Sequence, residues 1–197
     1  MSSTSTRHRL RSGHRVRVRP LNRGDGPVLA RMWDELSEQS RYRRFFTLKS
    51  RLSERTLEFL TDIDHHDHEA LAAVAPGGDL VGVARFVRFA KQPETADLAV
   101  TVVDAWQRRG LGTLLLEQLS ARAAAVGVTC FTAEILAENT PMIGLARQAG
   151  SESVGVAGGG TVVARLAVTD RTEQPTSNIL RAVARGEFGP LAGPFRF

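Results

Sequence analysis

The chain has 197 residues, 42% hydrophobic and 24% charged, which is the composition of a globular protein with room for one well-packed domain. No apolar run is long enough to span a membrane, and the N-terminus lacks the apolar segment of a secretory signal. The one cysteine, Cys130, excludes an internal disulfide and suits a reducing compartment, so we expect a cytoplasmic protein.

The net charge of +5 is concentrated at the N-terminal end. Residues 1–19 contain six arginines and no acidic residue, so the rest of the chain is close to neutral. Residues 1–13 have little to bury, and we predict that they form a disordered basic tail. Such a tail can contact nucleic acid or another anionic surface. We favour a solvated tail, because arginines without interleaved aromatic residues are a weak sign of nucleic-acid binding.

A strand and three helices are predicted at the start of the folded region. In the strand, Arg15–Arg19, valine and arginine alternate, and Pro20 ends it. Three helical segments follow, beginning near Asp25, Ser37 and Ser53. Helices placed ahead of a central sheet can lie over a binding cleft as a substrate lip.

Residues 62–69 read Asp-Ile-Asp-His-His-Asp-His-Glu, a concentration of side chains that can bind a metal. Histidine and carboxylate groups are zinc ligands. The spacing matches no familiar zinc pattern, however, and the segment lies between a predicted helix and a predicted strand. We therefore predict a polar connecting loop that can rim the substrate cleft, and no bound metal.

Strands follow in close succession after this loop. A hairpin is predicted at Glu69–Ala75 and Leu80–Phe89, with its turn at residues 76–79. A second turn at residues 91–94 precedes the fourth strand, Asp97–Val103.

A strand–helix–strand unit comes next. The helix Leu111–Val126 has one apolar stripe and leads to a fifth strand, Thr129–Leu136, which should run parallel to the fourth. A helix led by Asn139 and a final hairpin at Ser153–Val156 and Thr161–Val168 complete the pattern.

This order predicts an α/β fold with a mixed central sheet of about seven strands flanked by helices, in one domain at residues 14–168. Residues 169–197 are predicted to be a C-terminal extension with one short helix. If the fourth and fifth strands splay apart, their exposed main-chain groups can pair with an extended ligand that carries amides, such as pantetheine.

The most informative stretch is Val102–Thr113, Val-Val-Asp-Ala-Trp-Gln-Arg-Arg-Gly-Leu-Gly-Thr. Gly110 and Gly112 let the backbone turn so that several N–H groups point at one spot, and the helix that follows adds the positive end of its dipole. Arg108 and Arg109 add charge. The loop is therefore predicted to hold a phosphate or pyrophosphate through main-chain groups.

The residues present exclude two familiar phosphate-binding loops. A Walker loop needs a lysine after its last glycine, and none follows Gly112. A dinucleotide-binding loop needs a third glycine, and that position is Leu115. The remaining pattern, Gln/Arg-x-x-Gly-x-Gly/Ala from Gln107 to Gly112, resembles the acyl-CoA pyrophosphate loop of the GNAT superfamily of N-acyltransferases.

Further runs resemble one branch of that superfamily, the bacterial Pat-like protein-lysine acetyltransferases. The likeness covers roughly residues 15–168. The runs are Leu36–Ser37 with Ser40–Phe46, Leu60–Asp64, Val83–Arg88 and Phe131–Asn139. The resemblance implies the GNAT fold with splayed strands, acetyl-CoA as co-substrate without a metal, and an acceptor that is a protein lysine or a small amine. It does not point to a nucleic-acid or membrane partner, and we expect a monomer or a homodimer.

The resemblance also implies roles for individual residues. The CoA pyrophosphate is held by main-chain N–H groups of Arg108, Arg109, Gly110, Leu111, Gly112 and Thr113. The main chain of Val102 and Val103 pairs with pantetheine and polarises the thioester carbonyl. Asn139 lies near the pantetheine or the leaving thiol.

A catalytic base is required because a lysine ammonium must lose its proton before it attacks a thioester. The resemblance implies a carboxylate on the fourth strand, usually glutamate in this branch, and here that position is Asp97. Aspartate is one methylene shorter and can act through a water. Glu134 on the fifth strand is the second candidate. Each also has a structural interpretation, as a polar residue on the wet side of its strand.

Two departures from the family pattern keep other functions open. One is the aspartate in place of glutamate. The other is Ala146, where many members have a tyrosine that reprotonates the thiolate. The sequence predicts an acetyl-CoA-dependent N-acetyltransferase acting by direct attack in a ternary complex. A non-catalytic acyl-CoA-binding or sensor module is the alternative, and a nucleic-acid-binding protein acting through residues 7–19 is a third hypothesis.

Overall fold

The computed structural model describes residues 5–45, 50–137, 155–157 and 160–168. Eight strands within these residues form one sheet: β1 (Thr6–Arg9), β2 (Arg15–Pro20), β3 (His68–Val74), β4 (Leu80–Phe89), β5 (Gln92–Val102), β6 (Cys130–Leu136), β7 (Gly155–Ala157) and β8 (Thr161–Ala167). The α-helices of the described part are α1 (Gly26–Asp34), α2 (Glu38–Phe45), α3 (Glu54–Thr61) and α4 (Leu111–Ala125). None of these helices is both long enough and apolar enough to cross a membrane.

The sheet is mixed, with the strand order β1-β2-β3-β4-β5-β6-β8-β7. Neighbouring strands are antiparallel except for β5 and β6, which are parallel and are connected through α4. A parallel pair needs a crossover connection of this kind. The predicted mixed α/β sheet flanked by helices is confirmed, and the strand beyond the predicted seven is β1.

The parallel pairing of β5 with β6 is short. Residues 95–97 of β5 pair with residues 130–132 of β6. Beyond Asp97, β5 continues to Val102 in register with β4, while β6 continues beyond Thr132 in register with β8. The two strands therefore separate, and we call the space between their facing edges the gap. The predicted splay of the fourth and fifth strands, which are β5 and β6, is confirmed.

Helices cover both faces of the sheet. Leu111 and Leu115 of α4 are buried in the core on one face, and α1 and α3 contribute to the core on the other. A Cβ atom at Gly82 of β4 would lie 3.1 Å from Leu115 Cδ1 and 3.3 Å from the Thr101 carbonyl oxygen. Glycine at this position lets α4 approach the strand closely, and this fixes the start of α4 beside the end of β5.

The N-terminal residues form a hairpin, so the predicted disorder of residues 1–13 is wrong for β1 and its turn. β1 pairs with β2, and the Leu10 N–H donates to the His14 carbonyl across the turn at 2.8 Å. The side chain of Leu10 is buried in the core. The segment has few apolar residues, but one buried leucine and the pairing with β2 order it. Residues 1–4 and the predicted extension at 169–197 lie outside the described residues.

The strand β5 begins at Gln92, earlier than the predicted start at Asp97. The turn predicted at residues 91–94 is therefore wrong from Gln92 onward, since residues 92–94 belong to the strand. The Thr129 N–H, at the entry to β6, donates to the Glu94 carbonyl at 2.8 Å. Gln92 pairs with Phe89 of β4, so the strand begins inside the segment whose polar residues predicted a turn.

A buried arginine–histidine pair connects α3 to the sheet. Arg85 of β4 and His68 of β3 are 5% and 8% exposed. Arg85 Nη1 lies 3.1 Å from His68 Nε2, and Arg85 Nη2 donates to the Leu60 carbonyl in α3 at 3.1 Å. Because a guanidinium has only donors, His68 accepts through a neutral ring. Burial and the charge of Arg85 lower the pKa of His68 from 6.5 to about 4.

We expect the free energy of unfolding to fall as the pH is lowered from 6.5 to about 4. His68 binds a proton near pH 6.5 in the unfolded chain but only near pH 4 in the folded protein, so proton uptake favours unfolding across this window. The full stabilisation is present above pH 6.5, and up to about 3 kcal/mol is lost below it.

The measurement is urea unfolding at several pH values, with His68→Gln as the control. Glutamine keeps an acceptor for Arg85 but does not titrate, so the stability of the variant should depend less on pH across this window. Equal pH slopes for the two proteins would contradict this account of His68.

Candidate functional site

The loop between β5 and α4 bends at two residues. One 3₁₀ turn, Asp104–Trp106, follows the strand. Arg108 and Gly110 then adopt left-handed backbone conformations, with φ of 58° and 86°. Left-handed residues within a turn make successive N–H groups converge on one point, a geometry that binds anions. The left-handed conformation costs free energy at a residue with a side chain, and such strain is concentrated at functional sites.

The start of α4 adds further donors. Gly110 is the N-cap, and the first bond within the helix runs from the Leu114 N–H to the Gly110 carbonyl at 3.1 Å. The N–H groups of Leu111, Gly112 and Thr113 precede that bond, at the end of the helix where the dipole is positive. We call residues 108–113 the phosphate cradle, because this geometry suits a pyrophosphate held by main-chain groups.

The side chain of Arg109 contacts the N-terminal hairpin. Its guanidinium lies over the Trp106 ring, 5.7 Å from the ring centroid, and Nη1 hydrogen-bonds to Nε2 of His14 in the β1–β2 turn. The rings of His14 and Trp106 meet edge to face at 5.3 Å. The sequence predicted that the charge of Arg109 would contribute to phosphate binding. It did not predict the contact of Arg109 with His14, because the two residues are 95 positions apart and no local pattern connects them.

The end of β5 offers main-chain groups to the gap at Val102 rather than at Val103. The Val103 N–H donates to the Val81 carbonyl at 3.1 Å, and the Val103 carbonyl accepts from the Trp106 N–H at 2.7 Å. Successive residues of a strand direct their main-chain groups to opposite edges, so those of Val102 face the gap. The Val102 carbonyl accepts from Gln107 Nε2 at 3.1 Å. The resemblance implies that the main chain of Val103 pairs with pantetheine, but the Val103 N–H is already bonded to Val81 in this structure.

The two candidate bases lie on one face of the sheet where the gap begins. Asp97 is the last residue of β5 that pairs with β6, and it is half-buried. By strand alternation it shares a face with Ala99 and Thr101. Glu134 follows the partner of Asp97 by two residues along β6 and so lies on the same face. The Thr161 hydroxyl donates a hydrogen bond to Glu134 Oε1.

A small cavity lies on this face between α1, α3 and strands β4 and β5. Its volume is about 30 Å³, which is room for one small group. Its walls are Leu29, Met32, Trp33, Leu52, Leu60, Val83, Arg85, Ala99 and Thr101. Because Ala99 and Thr101 belong to the part of β5 that has separated from β6, the cavity borders the gap.

The acidic and histidine-rich segment is a connecting loop that stabilises its own turn. The Asp64 carboxylate accepts hydrogen bonds from the N–H groups of His66, Asp67 and His68, each at 2.8 Å. Partial burial disfavours the charge of Asp64, but these bonds outweigh it and hold its pKa below the ordinary value. Among the residues that the structure describes, no three metal-ligating side chains lie together.

Sequence reasoning did not single out Asp104. Its carboxylate accepts hydrogen bonds from the Ser37 N–H at 3.0 Å and from the hydroxyls of Ser37 and Ser40 at 2.8 and 2.9 Å. Partial burial disfavours its charge, but these bonds outweigh it, so the pKa of Asp104 lies below its ordinary value. Asn139 and Ala146 lie outside the described residues.

The part of the chain that contains the cradle and the gap matches a known protein family. Residues 29–150, more than half of the chain, match the acetyltransferase (GNAT) family. The acetyltransferase Pat of Mycolicibacterium smegmatis is 34% identical over 140 residues, which are 68% of this chain and 40% of Pat. The acetyltransferase PA5475 of Pseudomonas aeruginosa is 31% identical over 113 residues, which are 56% of this chain and 60% of that protein. The chain thus spans less than two thirds of the length of these curated relatives.

Solved structures give the same result. The GNAT domain of S. lividans PAT matches with a TM-score of 0.74 and 32% identity, over 83% of this chain and 96% of that one. A cAMP-binding acyltransferase from Mycobacterium smegmatis matches with a TM-score of 0.60 and 26% identity, over 94% of this chain and 54% of that one. The fold alone is shared with yncA from Salmonella typhimurium, solved with acetyl-CoA, at a TM-score of 0.58 and 18% identity over 82% and 98% of the chains. With its separating parallel strands and the cradle beside them, the chain belongs to the GNAT acetyltransferase family, and its relatives confirm the resemblance to the Pat-like branch.

Proposed function

We propose that this protein transfers the acetyl group of acetyl-CoA to a primary amine, on a protein lysine or on a small molecule, by direct attack in a ternary complex. One observation carries the proposal: the phosphate cradle lies at the end of the same strand that opens the gap. A single ligand can place a pyrophosphate at the cradle and an amide-bearing arm in the gap, and acetyl-CoA has both parts. Family membership and the resemblance to Pat-like protein-lysine acetyltransferases support the donor and the acceptor class.

The cradle and the gap bind different parts of acetyl-CoA. The N–H groups of residues 108–113 donate hydrogen bonds to the pyrophosphate, and the Val102 N–H pairs with the amide of the arm. The cavity beside Ala99 and Thr101 lies on the same face of the sheet as Asp97.

Asp97 is the proposed base. Its carboxylate takes the proton of the incoming ammonium, directly or through one water, because an amine attacks only when its lone pair is free. The nitrogen then bonds to the thioester carbonyl carbon and gives its second proton to solvent, the carbon–sulfur bond breaks, and the thiolate leaves and takes a proton from solvent. Glu134 lies on the same face and is the alternative base.

The first prediction concerns binding of acetyl-CoA, measured by calorimetric titration. The variant carries Arg108→Glu and Gly112→Asp, which place negative charge in the cradle and leave the contact of Arg109 with the hairpin unchanged. We expect wild type to bind and the variant to lose at least tenfold in affinity, because two carboxylates repel the pyrophosphate. The matched control is Lys91→Glu with Gly77→Asp, the same change of charge in two exposed turns. Absence of binding by folded wild-type protein would refute the proposal.

The second prediction concerns the base. Asp97→Asn should lower kcat for acetyl transfer by about 10²- to 10⁴-fold while leaving the dissociation constant of acetyl-CoA within about threefold. The readout is thiol release with lysine peptides and polyamines as acceptors, and Glu134→Gln is the comparison variant. A larger loss for Glu134→Gln would assign the base to Glu134. Binding of acetyl-CoA without transfer to any acceptor would favour the non-catalytic module.

A second candidate function, polyanion binding, is favoured by the charge pattern of the hairpin. The register places Arg7 opposite Arg17 and Arg9 opposite Arg15, and all four side chains are exposed. Arg19, by contrast, pairs with Asp25 at 2.6 Å. Like charges directly opposite each other on a sheet are destabilising, and a bound polyanion relieves the repulsion.

The third prediction tests this candidate with a labelled DNA duplex, measured by fluorescence anisotropy at a series of salt concentrations. If the hairpin binds phosphates, changing Arg9→Gln and Arg15→Gln should reduce the slope of log affinity against log salt by about 1.8. The control changes Arg31→Gln and Arg55→Gln, both exposed on helices. Absence of binding at 50 mM salt would dismiss this candidate and leave the acetyltransferase proposal unchanged.

A further inference from the structure

The carboxylate of Asp104 joins the phosphate-binding loop to the start of α2. Asp104 lies two residues after the end of β5, and Ser37 is the residue before α2. Asp104 Oδ2 accepts from the Ser37 N–H, and Oδ1 accepts from the hydroxyls of Ser37 and Ser40. The Ser37 hydroxyl also caps the helix by accepting from the Ser40 N–H at 3.2 Å. One carboxylate thus holds the cap and the first turn of α2.

A second link between the loop and α2 runs through Gln107. Its Nε2 group lies 3.1 Å from the Val102 carbonyl and 3.4 Å from the Ser40 hydroxyl oxygen. Val102 is the residue that offers main-chain groups to the gap. The side chain of Gln107, from the phosphate-binding motif itself, therefore connects the ligand edge of β5 with the same serine that Asp104 holds.

The body of α2 is fixed to the wall of the cavity. Arg41 donates to the Trp33 carbonyl at 3.2 Å and to the Asp34 carbonyl at 2.9 Å, at the C-terminal end of α1. Its guanidinium also lies 5.7 Å from the centroid of the Trp33 ring, and Trp33 lines the cavity. The helix α2 therefore spans from the cradle side of the site to the cavity side.

These anchors decide whether α2 is ordered. A helix of eight residues is not stable alone in water, and its sequence, Glu-Gln-Ser-Arg-Tyr-Arg-Arg-Phe, offers little apolar surface to pack. The Asp104 charge at its N-terminus also interacts favourably with the helix dipole. Loss of the anchor at Asp104 should therefore loosen the first turns of α2.

We propose that Asp104 is a positioning residue that couples the phosphate cradle to α2, so that binding of acetyl-CoA orders α2. The inference rests on the proposed function, because it takes acetyl-CoA as the ligand of the cradle. A ligand that fixes the loop fixes Asp104, and Asp104 fixes the cap of α2. By linkage, whatever orders α2 raises the affinity for acetyl-CoA by the same factor.

The test is hydrogen–deuterium exchange of the α2 amides with and without saturating acetyl-CoA. In wild type, acetyl-CoA should slow the exchange of residues 40–45 at least fivefold, the lower end of typical coupling between sites. In Asp104→Ala this slowing should be lost although acetyl-CoA still binds. The matched control is Asp79→Ala, in the exposed β3–β4 turn, and it should behave like wild type.

A second variant approaches the same contact from the helix. Ser40→Ala removes one donor to Asp104 together with the hydroxyl that accepts from Gln107, and it leaves the Ser37 cap in place. It should therefore reduce the slowing even if Asp104→Ala does not fold. Full slowing in Ser40→Ala and Asp104→Ala would overturn the coupling while calorimetry still showed that acetyl-CoA binds. Absence of binding by wild type would instead overturn the proposed function, and the coupling with it.

Discussion

The site depends on the point at which β5 and β6 stop pairing. Three residues of each strand pair, and then each strand follows its other neighbour, β4 or β8. The connection between them is α4, which Gly82 allows to lie close on β4. A parallel pair with a helical crossover places the helix start at the end of its first strand. The anion-binding end of α4 and the open strand edges are therefore neighbours, and this is what lets one elongated ligand use both.

The phosphate-binding loop is held from two sides by contacts that are not part of the loop. On one side, Arg109 and Trp106 pack with His14 of the N-terminal hairpin. On the other, Asp104 and Gln107 bond to the serines that begin α2. A left-handed residue such as Arg108 persists only where surrounding contacts fix the chain. The contacts with His14 and with the serines of α2 fix the chain on both sides of Arg108. They also connect the cradle to the N-terminal hairpin and to α2.

The sheet face that carries Asp97 also contains a buried cation, Arg85, whose guanidinium has hydrogen-bond partners. Arg85 lines the cavity, and its guanidinium is bonded to a neutral His68 and to the end of α3. Burying a cation is costly unless its donors are satisfied. The pair therefore fixes α3 against the sheet and sets one wall of the cavity, while the carboxylates that can act as bases lie along β5 and β6 on the same face.

The sequence by itself determined the elements that depend on near neighbours. The glycines at 110 and 112, followed by a helix, predicted a main-chain anion site, because backbone freedom and helix ends are set within a few residues. Strand alternation also placed Asp97 and Glu134 on predicted strands. Only the tertiary structure decided the rest: that residues 6–9 are a strand, that β5 begins at Gln92, and that Asp104 holds α2. The contacts of Asp104 have partners 67 and 64 positions away, which no local pattern records. The two strand boundaries depend on hairpin pairing in segments whose own residues do not show the alternation of a strand.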